Sequence, residues 1–411
     1  MAIKINNQDL QARYINGNSV TKVMLNYQQI RPDVTPPVST EYIEYRVNTQ
    51  TVGGRYAITV PTGWYPHTWN FWPNFDQWCP YNWYVSVDNW EPTQLTGTWL
   101  QWGRQWINVD SSWTHTVKIT PVVEDYGRAL AFWWRYVDSR QYLREIVYDG
   151  SLKWYMVSAT STGNYYKAHQ YYGCTNLSSI PVSETLPITT TTIGDFFRSH
   201  QFDGTSSLST PAIEVMPDTV TSIWNDFREN QYSSSRVTTT AAEVLSSNLL
   251  TIWDSFRYWQ YGSCSRITSP AAEVLPNSVV SIGTHYRSHQ YYYTWITATA
   301  VEALPSSVVS IWTLYREYQY AICSNMTTIS WVKETNISIN NYRESQFADN
   351  QITALTMTML NDVSTNEYRP FSNVISPNDI TVYVPNAYIS NYRDSTLEPW
   401  VLIPDANFIW Y

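Results

Sequence analysis

Long apolar runs, basic clusters and cysteine are what this chain does without. Nowhere do about twenty apolar residues run together, the length a bilayer crossing requires, so no membrane insertion is expected. The stretch MAIKINNQDL carries Lys4 with no apolar run behind it, which speaks against Sec export. Only 14% of the 411 residues are charged, the net charge is −9, and no Lys/Arg-rich run occurs. Affinity for a phosphate backbone is built from clustered cations, so no nucleic-acid partner is expected. Motifs of catalysis are missing too: there is no Gly-x-Ser-x-Gly elbow, HExxH pair or phosphate loop. No spacing among the Asp and Glu residues nominates an acid/base pair. His285 and His289 have the i,i+4 spacing of a metal pair, but no third ligand is phased with them. The expectation is a chain that is not an enzyme and holds neither metal nor cofactor.

What is present is aromatic and periodic. Aromatic residues make up 16% of the chain, and Ser, Thr and Asn are abundant, the composition of a mainly β extracellular or virion surface protein. Between Gly163 and Gln346 the chain repeats itself about every thirty residues: SIWNDFRENQY from Ser222 matches TIWDSFRYWQY from Thr251 and SIWTLYREYQY from Ser310. The shared unit, aromatic-Arg-x-x-Gln-aromatic, recurs around Arg198, Arg228, Arg257, Arg287 and Arg316, with weaker copies around Lys167 and Arg343. An Ala-x-Glu-x-Leu-Pro element keeps step with it, so that Glu184, Glu214, Glu243, Glu273 and Glu302 each precede an Arg by a constant interval. A fixed period of this kind predicts a solenoid of about seven coils over residues 151–350, stacked roughly 5 Å apart if they pair as parallel strands.

The slots of the unit divide by chemistry. Those that are aromatic in every copy are expected in the core. Stacked Arg side chains about 5 Å apart repel by about 3 kcal/mol at an effective dielectric near 20, so the Arg column needs counter-charge. The Glu column supplies it if the two are a structural ladder; a basic ligand groove is the other reading. The slots between Arg and Gln vary instead, and they yield the candidate receptor-binding residues His169, His200, Asn230, Tyr258, Trp259, His289 and Tyr318. Rigid aromatics scattered over one stripe have the composition of a paratope, while the bland reading is a row of slots that merely faces water. Cys174, Cys264 and Cys323 share one slot two or more coils apart, too far for a disulfide, and are expected to be buried free thiols. Cys79 is expected to be unpaired. One slot holds Gly163, Gly194 and Gly283 but Trp224, Trp253 and Trp312. No packed site accepts both. Either the slot faces solvent, or the source genome reads UGA as glycine and the tryptophans are products of the translation table.

Outside the repeats, residues 1–32 read as a small β attachment unit with a hairpin signal at Asn16-Gly17. Residues 33–41, with Pro36 and Pro37, read as a stiff linker. Residues 42–150 read as a Trp-rich, β-sandwich-like domain, with strands either side of Gly53-Gly54 and ten tryptophans from Trp64 to Trp113. Those rings are either packed on one another or exposed as a sugar platform. Residues 351–411 read as an end cap containing a strand at Ile380–Pro385 and a short helical turn at Tyr388–Arg393.

Segments such as YYGCTNLSSI from Tyr171, LPNSVVSIG from Leu275 and the ending ITVYVPNAYISNYRDS resemble the BspA-type leucine-rich repeats of surface and adhesion proteins. The resemblance covers residues 152–395 and differs in placing Phe/Tyr-Arg where that family carries Ala-Phe. The run KVMLNYQQIRP is similar to openings of bacterial-virus tail and fibre proteins. These resemblances imply a virion protein of tail-fibre or receptor-binding type that joins other virion subunits through residues 1–32, meets a host surface protein or glycan, and forms a homo-oligomer, a trimer if a fibre. A cellular surface adhesin and a carbohydrate-binding or carbohydrate-active protein are the alternatives.

Overall fold

The computed structural model describes residues 2–5, 8–11, 14–15, 18–19, 23–25, 28–30, 42–48, 55–59, 83–89, 92–94, 104–108, 114–121, 141–150, 156–164, 166–181, 183–240, 244–270, 274–299, 304–326, 328–331, 345–350, 355–359, 380–384, 386–394 and 407–410. These form two compact units, Met1–Ser39 and Thr40–Tyr411. The linker 33–41, Cys79 and most of the Trp64–Trp113 segment lie outside the described residues.

The first unit is three antiparallel hairpins. Strand β1 (Ala2–Ile5) pairs with β2 (Gln8–Gln11). Strand β3 (Tyr14–Ile15) pairs with β4 (Asn18–Ser19), on either side of the expected hairpin signal Asn16-Gly17, which itself lies outside the described residues. Strand β5 (Val23–Leu25) pairs with β6 (Gln28–Ile30).

The second unit is mostly β. It opens on seven strands: β7 (Ile43–Asn48), β8 (Arg55–Thr59), β9 (Trp83–Val87), β10 (Thr93–Gln94), β11 (Arg104–Asn108), β12 (Thr114–Pro121) and β13 (Leu143–Asp149). Five make an antiparallel sheet in the order β10-β9-β12-β7-β13, while β8, among the described residues, pairs with β11 alone. Strands β7 and β8 thus form where the sequence predicts, but they are not partners across Gly53-Gly54. Both edges of β7 are taken by β12 and β13, and its alternating apolar face of Ile43, Tyr45 and Val47 is buried.

After the short β14 (Met156–Ser158), six two-residue strands stack in parallel: β15 (Ser161–Thr162), β17 (Thr192–Ile193), β19 (Ser222–Ile223), β20 (Thr251–Ile252), β21 (Ser281–Ile282) and β22 (Ser310–Ile311). Each pairs residue for residue with its neighbour, Ile193 opposite Ile223 and so on to Ile311. The Ile side chain of every pair is buried and the hydroxyl residue before it half-exposed, the split a pleated strand imposes. Upstream of the strands, a Pro carbonyl (Pro217, Pro276, Pro305) accepts from the N–H three residues on, a turn that delivers Val220, Val279 and Val308 into the core. A second parallel pair, β16 (Ser183–Thr185) with β18 (Ile213–Val215), aligns the backbones of Glu184 and Glu214.

Parallel stacking resumes beyond residue 326. Strands β23 (Thr328–Trp331), β24 (Leu355–Met359), β25 (Ile380–Val384) and β26 (Phe408–Trp410) form a four-stranded parallel sheet, with a 3₁₀ turn at Asn386–Tyr388 and the short helix α1 (Ile389–Arg393) between the last two. The expected closing strand and helical turn are therefore present, embedded in a further ladder. No helix among the described residues is long and apolar enough to cross a membrane.

The stack begins against the antiparallel sheet. The Ile146 N–H donates to the Ser179 carbonyl and the Ser178 N–H to that of Arg144, both at 2.9 Å. Beside this seam the Lys167 ammonium donates to Asp149 at 2.8 Å and the Tyr171 hydroxyl to the same carboxylate at 3.3 Å. They line a cavity of about 40 Å³, room for a water molecule.

Candidate functional site

The segment that carries Arg and Gln in each unit is neither helix nor strand. Alternate residues occupy the left-handed region: Phe196, Arg198 and His200 at φ 56°, 54° and 52°, then Asp226, Arg228 and Asn230 at 57°, 56° and 50°, and so through Leu314, Arg316 and Tyr318. Each such non-glycine residue costs about 1–2 kcal/mol. The compensation is hydrogen bonding along the stack. The N–H groups of His200, Phe202 and Gly204 donate to the carbonyls of Glu229, Gln231 and Ser233 at 2.8–2.9 Å, and those of Asn230, Tyr232 and Ser234 repeat the pattern onto the next unit.

This arc lines up side chains in columns. Tyr166, Phe197, Phe227, Phe256, Tyr286 and Tyr315 stack with ring centroids 4.6–5.3 Å apart, and Tyr171, Phe202, Tyr232, Tyr261, Tyr291, Tyr320 and Phe347 at 5.3–5.8 Å. All are buried, as expected for packing slots. Between them runs a chain of glutamine amides. The Nε2 of Gln201, Gln231, Gln260, Gln290, Gln319 and Gln346 each donates to the Oε1 of the glutamine in the preceding unit, at 2.9–3.4 Å. The ends of this chain, Gln170 Nε2 and Gln346 Oε1, have no partner among the described residues. Sequence reasoning recognised the invariant Gln as scaffold but missed the chain it forms; its recurrence in every copy was the available signal.

The Arg column is buried. Arg198, Arg228, Arg257, Arg287 and Arg316 are 1–5% exposed. Four of the guanidinium groups lie 5.0–5.8 Å from the ring of the residue just before them, and two donate to glutamines, Arg198 to Gln201 at 3.3 Å and Arg287 to Gln290 at 2.6 Å. Glu243, Glu273 and Glu302 lie outside the described residues, as do the side chains of Glu184 and Glu214. The small-residue column behaves as expected. Cys174, Cys264 and Cys323 are free and buried, with Cys264 Sγ 3.5 Å from Ser235 Oγ and Cys323 Sγ 3.2 Å from Thr294 Oγ1. Burial pushes the Cys264 and Cys323 thiols up to about 12 and about 11.

The variable slots form a third column. His169 stacks on His200 at 4.7 Å, Asn230 Nδ2 lies 3.5 Å from His200 Nε2, Trp259 stacks on His289 at 5.2 Å, and His289 on Tyr318 at 4.9 Å. Tyr258 stands beside it, edge-on to His289 at 5.4 Å. None of the seven candidates projects freely. His169 is 7% exposed and the other six are half-buried. Two further rings join this group: Tyr292, from the variable slot just beyond the second aromatic, and His285, which sequence reasoning weighed only as half of a metal pair. A fourth column closes the arc: Oδ1 of Asn164, Asp195, Asn225 and Asp254 accepts the backbone N–H of Asp195, Asn225, Asp254 and Thr284. Close by, burial and the neighbouring Glu229 raise the Asp226 carboxyl to about 7.

Trp224, Trp253 and Trp312 are 42%, 50% and 58% exposed, so their slot faces solvent where it holds Trp. At Gly194 and Gly283 the same slot is buried, and a Cβ would run into the Oδ1 of Asn164 or Asp254. Among the described residues no group of three or more His, Cys, Asp or Glu is placed to hold a metal ion. Comparison with known proteins finds no family to which the chain matches and no matching curated protein.

Proposed function

We propose that the chain is a non-enzymatic virion structural protein of tail-fibre or receptor-binding type. Its thirty-residue units form a leucine-rich-repeat-like solenoid of about seven coils, whose variable column is the surface that meets the host cell. The observation that carries this reading is a contrast between columns. Ring, Gln and Arg columns keep one chemistry through the whole stack, whereas the column from His169 to Tyr318 changes residue at almost every step and is half-exposed from His200 onward. Residues 1–32 serve as the handle to the other virion subunits, with the protein present as a homo-oligomer.

The test changes Tyr258, Trp259, His289 and Tyr318 together to Ser. Each lost ring contact costs about 0.5–1.5 kcal/mol, so the variant melts lower but folds. Its binding to host cells falls at least tenfold, about 1.4 kcal/mol. A folded variant that adsorbs as well as the parent sinks the reading.

A further inference from the structure

The variable column changes character between Tyr258 and Tyr318. There six rings from three successive units meet: Tyr258 lies edge-on to His285 and His289 at 5.6 and 5.4 Å, Trp259 lies flat on His289, His289 on Tyr318, and Tyr292 tilts against Trp259 at 4.8 Å. All six are half-buried, so part of each faces solvent, and the adjacent Tyr293 and Trp295 are 57% and 52% exposed. The Nδ1 atoms of His285 and His289 have no hydrogen-bond partner among the described residues.

Among the described residues, carboxylates act on these rings. Glu229 and Glu317 act on the Tyr258 phenol, Asp349 on that of Tyr292, and Asp254 on the imidazole of His285. The Glu317 carboxylate lies 4.0 Å from His285 Nδ1. Burial holds His289 down to about 4 and lowers His285, so the imidazoles add no positive charge at neutral pH. The guanidinium groups of Arg257, Arg287 and Arg316 are buried. Aromatic rings beside carboxylates are a setting in which ammonium and guanidinium groups are held.

We propose that this patch binds the lysine and arginine side chains of a basic protein segment, an assignment that rests on reading the variable column as the attachment surface. Glu229 and Glu317 occupy the same slot three units apart, roughly 15 Å at strand spacing. One small amine cannot reach both, whereas an extended polypeptide carrying several cations can. The binding is ionic in part, so it weakens as salt screens the carboxylates.

The full chain is titrated with an oligolysine peptide by calorimetry, at low and at physiological salt, alongside the double variant E229Q/E317Q and an oligoglutamate control. The expected result is binding of oligolysine alone, weakened about tenfold by the double variant and further by salt. Thermal melting of the double variant shows that it is folded; if it is not, Glu317→Gln alone is used with the same salt series. Absence of oligolysine binding, or equal binding by a folded charge variant, overturns the proposal. If the four-serine variant loses host cells while oligolysine never binds, the attachment reading stands and the cationic partner falls. If oligolysine binds yet the four-serine variant adsorbs normally, the patch stands and its role in attachment falls.

Discussion

Gln231 sits in the interior of the amide chain, accepting from Gln260 and donating to Gln201. Replacing it by Leu leaves the Gln260 Nε2 donor unpaired in a dry core, at a cost of about 1–3 kcal/mol, and takes from Gln201 Oε1 one of its two donors, the other being Arg198. Gln170 at the chain's end makes only one of these bonds, and its own Nε2 is already unpartnered. Gln170→Leu therefore costs clearly less than Gln231→Leu, a difference that urea denaturation of the two variants reads directly. An equal loss would mean that the chain is incidental to stability. The tryptophan slot makes a second prediction at this scale. Gly283→Ala forces its Cβ against Asp254, whose Oδ1 holds the Thr284 N–H, and lowers the melting temperature, whereas Trp253→Gly removes a half-exposed indole and moves it little. The codons for Trp224, Trp253 and Trp312 decide between the two origins of the slot: UGG at all three excludes recoded glycine. The sequence alone made the alternation visible but not its cause, because whether a Cβ fits depends on how far Asn164 or Asp254 leans across from the preceding unit.

The element that was least legible is the arc. Its aromatic, Arg and Gln slots were readable as columns because they recur at one period, yet nothing in Phe196, Arg198 or His200 advertises a left-handed backbone, which glycine usually supplies. That conformation is what turns the variable slots into a stacked column in place of a free stripe. Strands β23, β24 and β26 were hidden for a different reason, while β25 was expected: they pair in parallel without carrying the aromatic-Arg-x-x-Gln pattern, so no side-chain period marked the ladder. Within the arc Asp226 carries a pH signature. Its carboxyl, raised from the usual 3.8 to about 7, stays protonated in the fold while the unfolded chain ionises. Its contribution is full below the usual value and is lost as pH rises through about 7. His289, lowered from 6.5 to about 4, works the other way, with stability present above 6.5 and lost as pH falls toward about 4. Asp226→Asn removes the first slope and keeps the second. The variant is expected to outlast the parent in thermal melting at pH 8 and to match it at pH 4; parallel curves at both would show that Asp226 is not a buried acid.

Taken as a whole, the second unit owes its continuity from β15 to β22 to one kind of joint used repeatedly, a parallel two-residue pairing flanked by stacked rings and backbone bonds. A unit in such a stack contacts chiefly its two neighbours, so the loss of one exposes the next without disturbing those beyond. Suppose the chain is held by a bead at one end of this region and a surface at the other. Tension then releases the units in sequence, each paying out about thirty residues of slack, on the order of 100 Å of contour. In optical tweezers the extension trace is expected to show evenly spaced rips of that length, and a single rip spanning the whole region would show that the joints fail together. A protein with such a trace behaves under load as a shock absorber, lengthening in steps while the remaining units keep their hold.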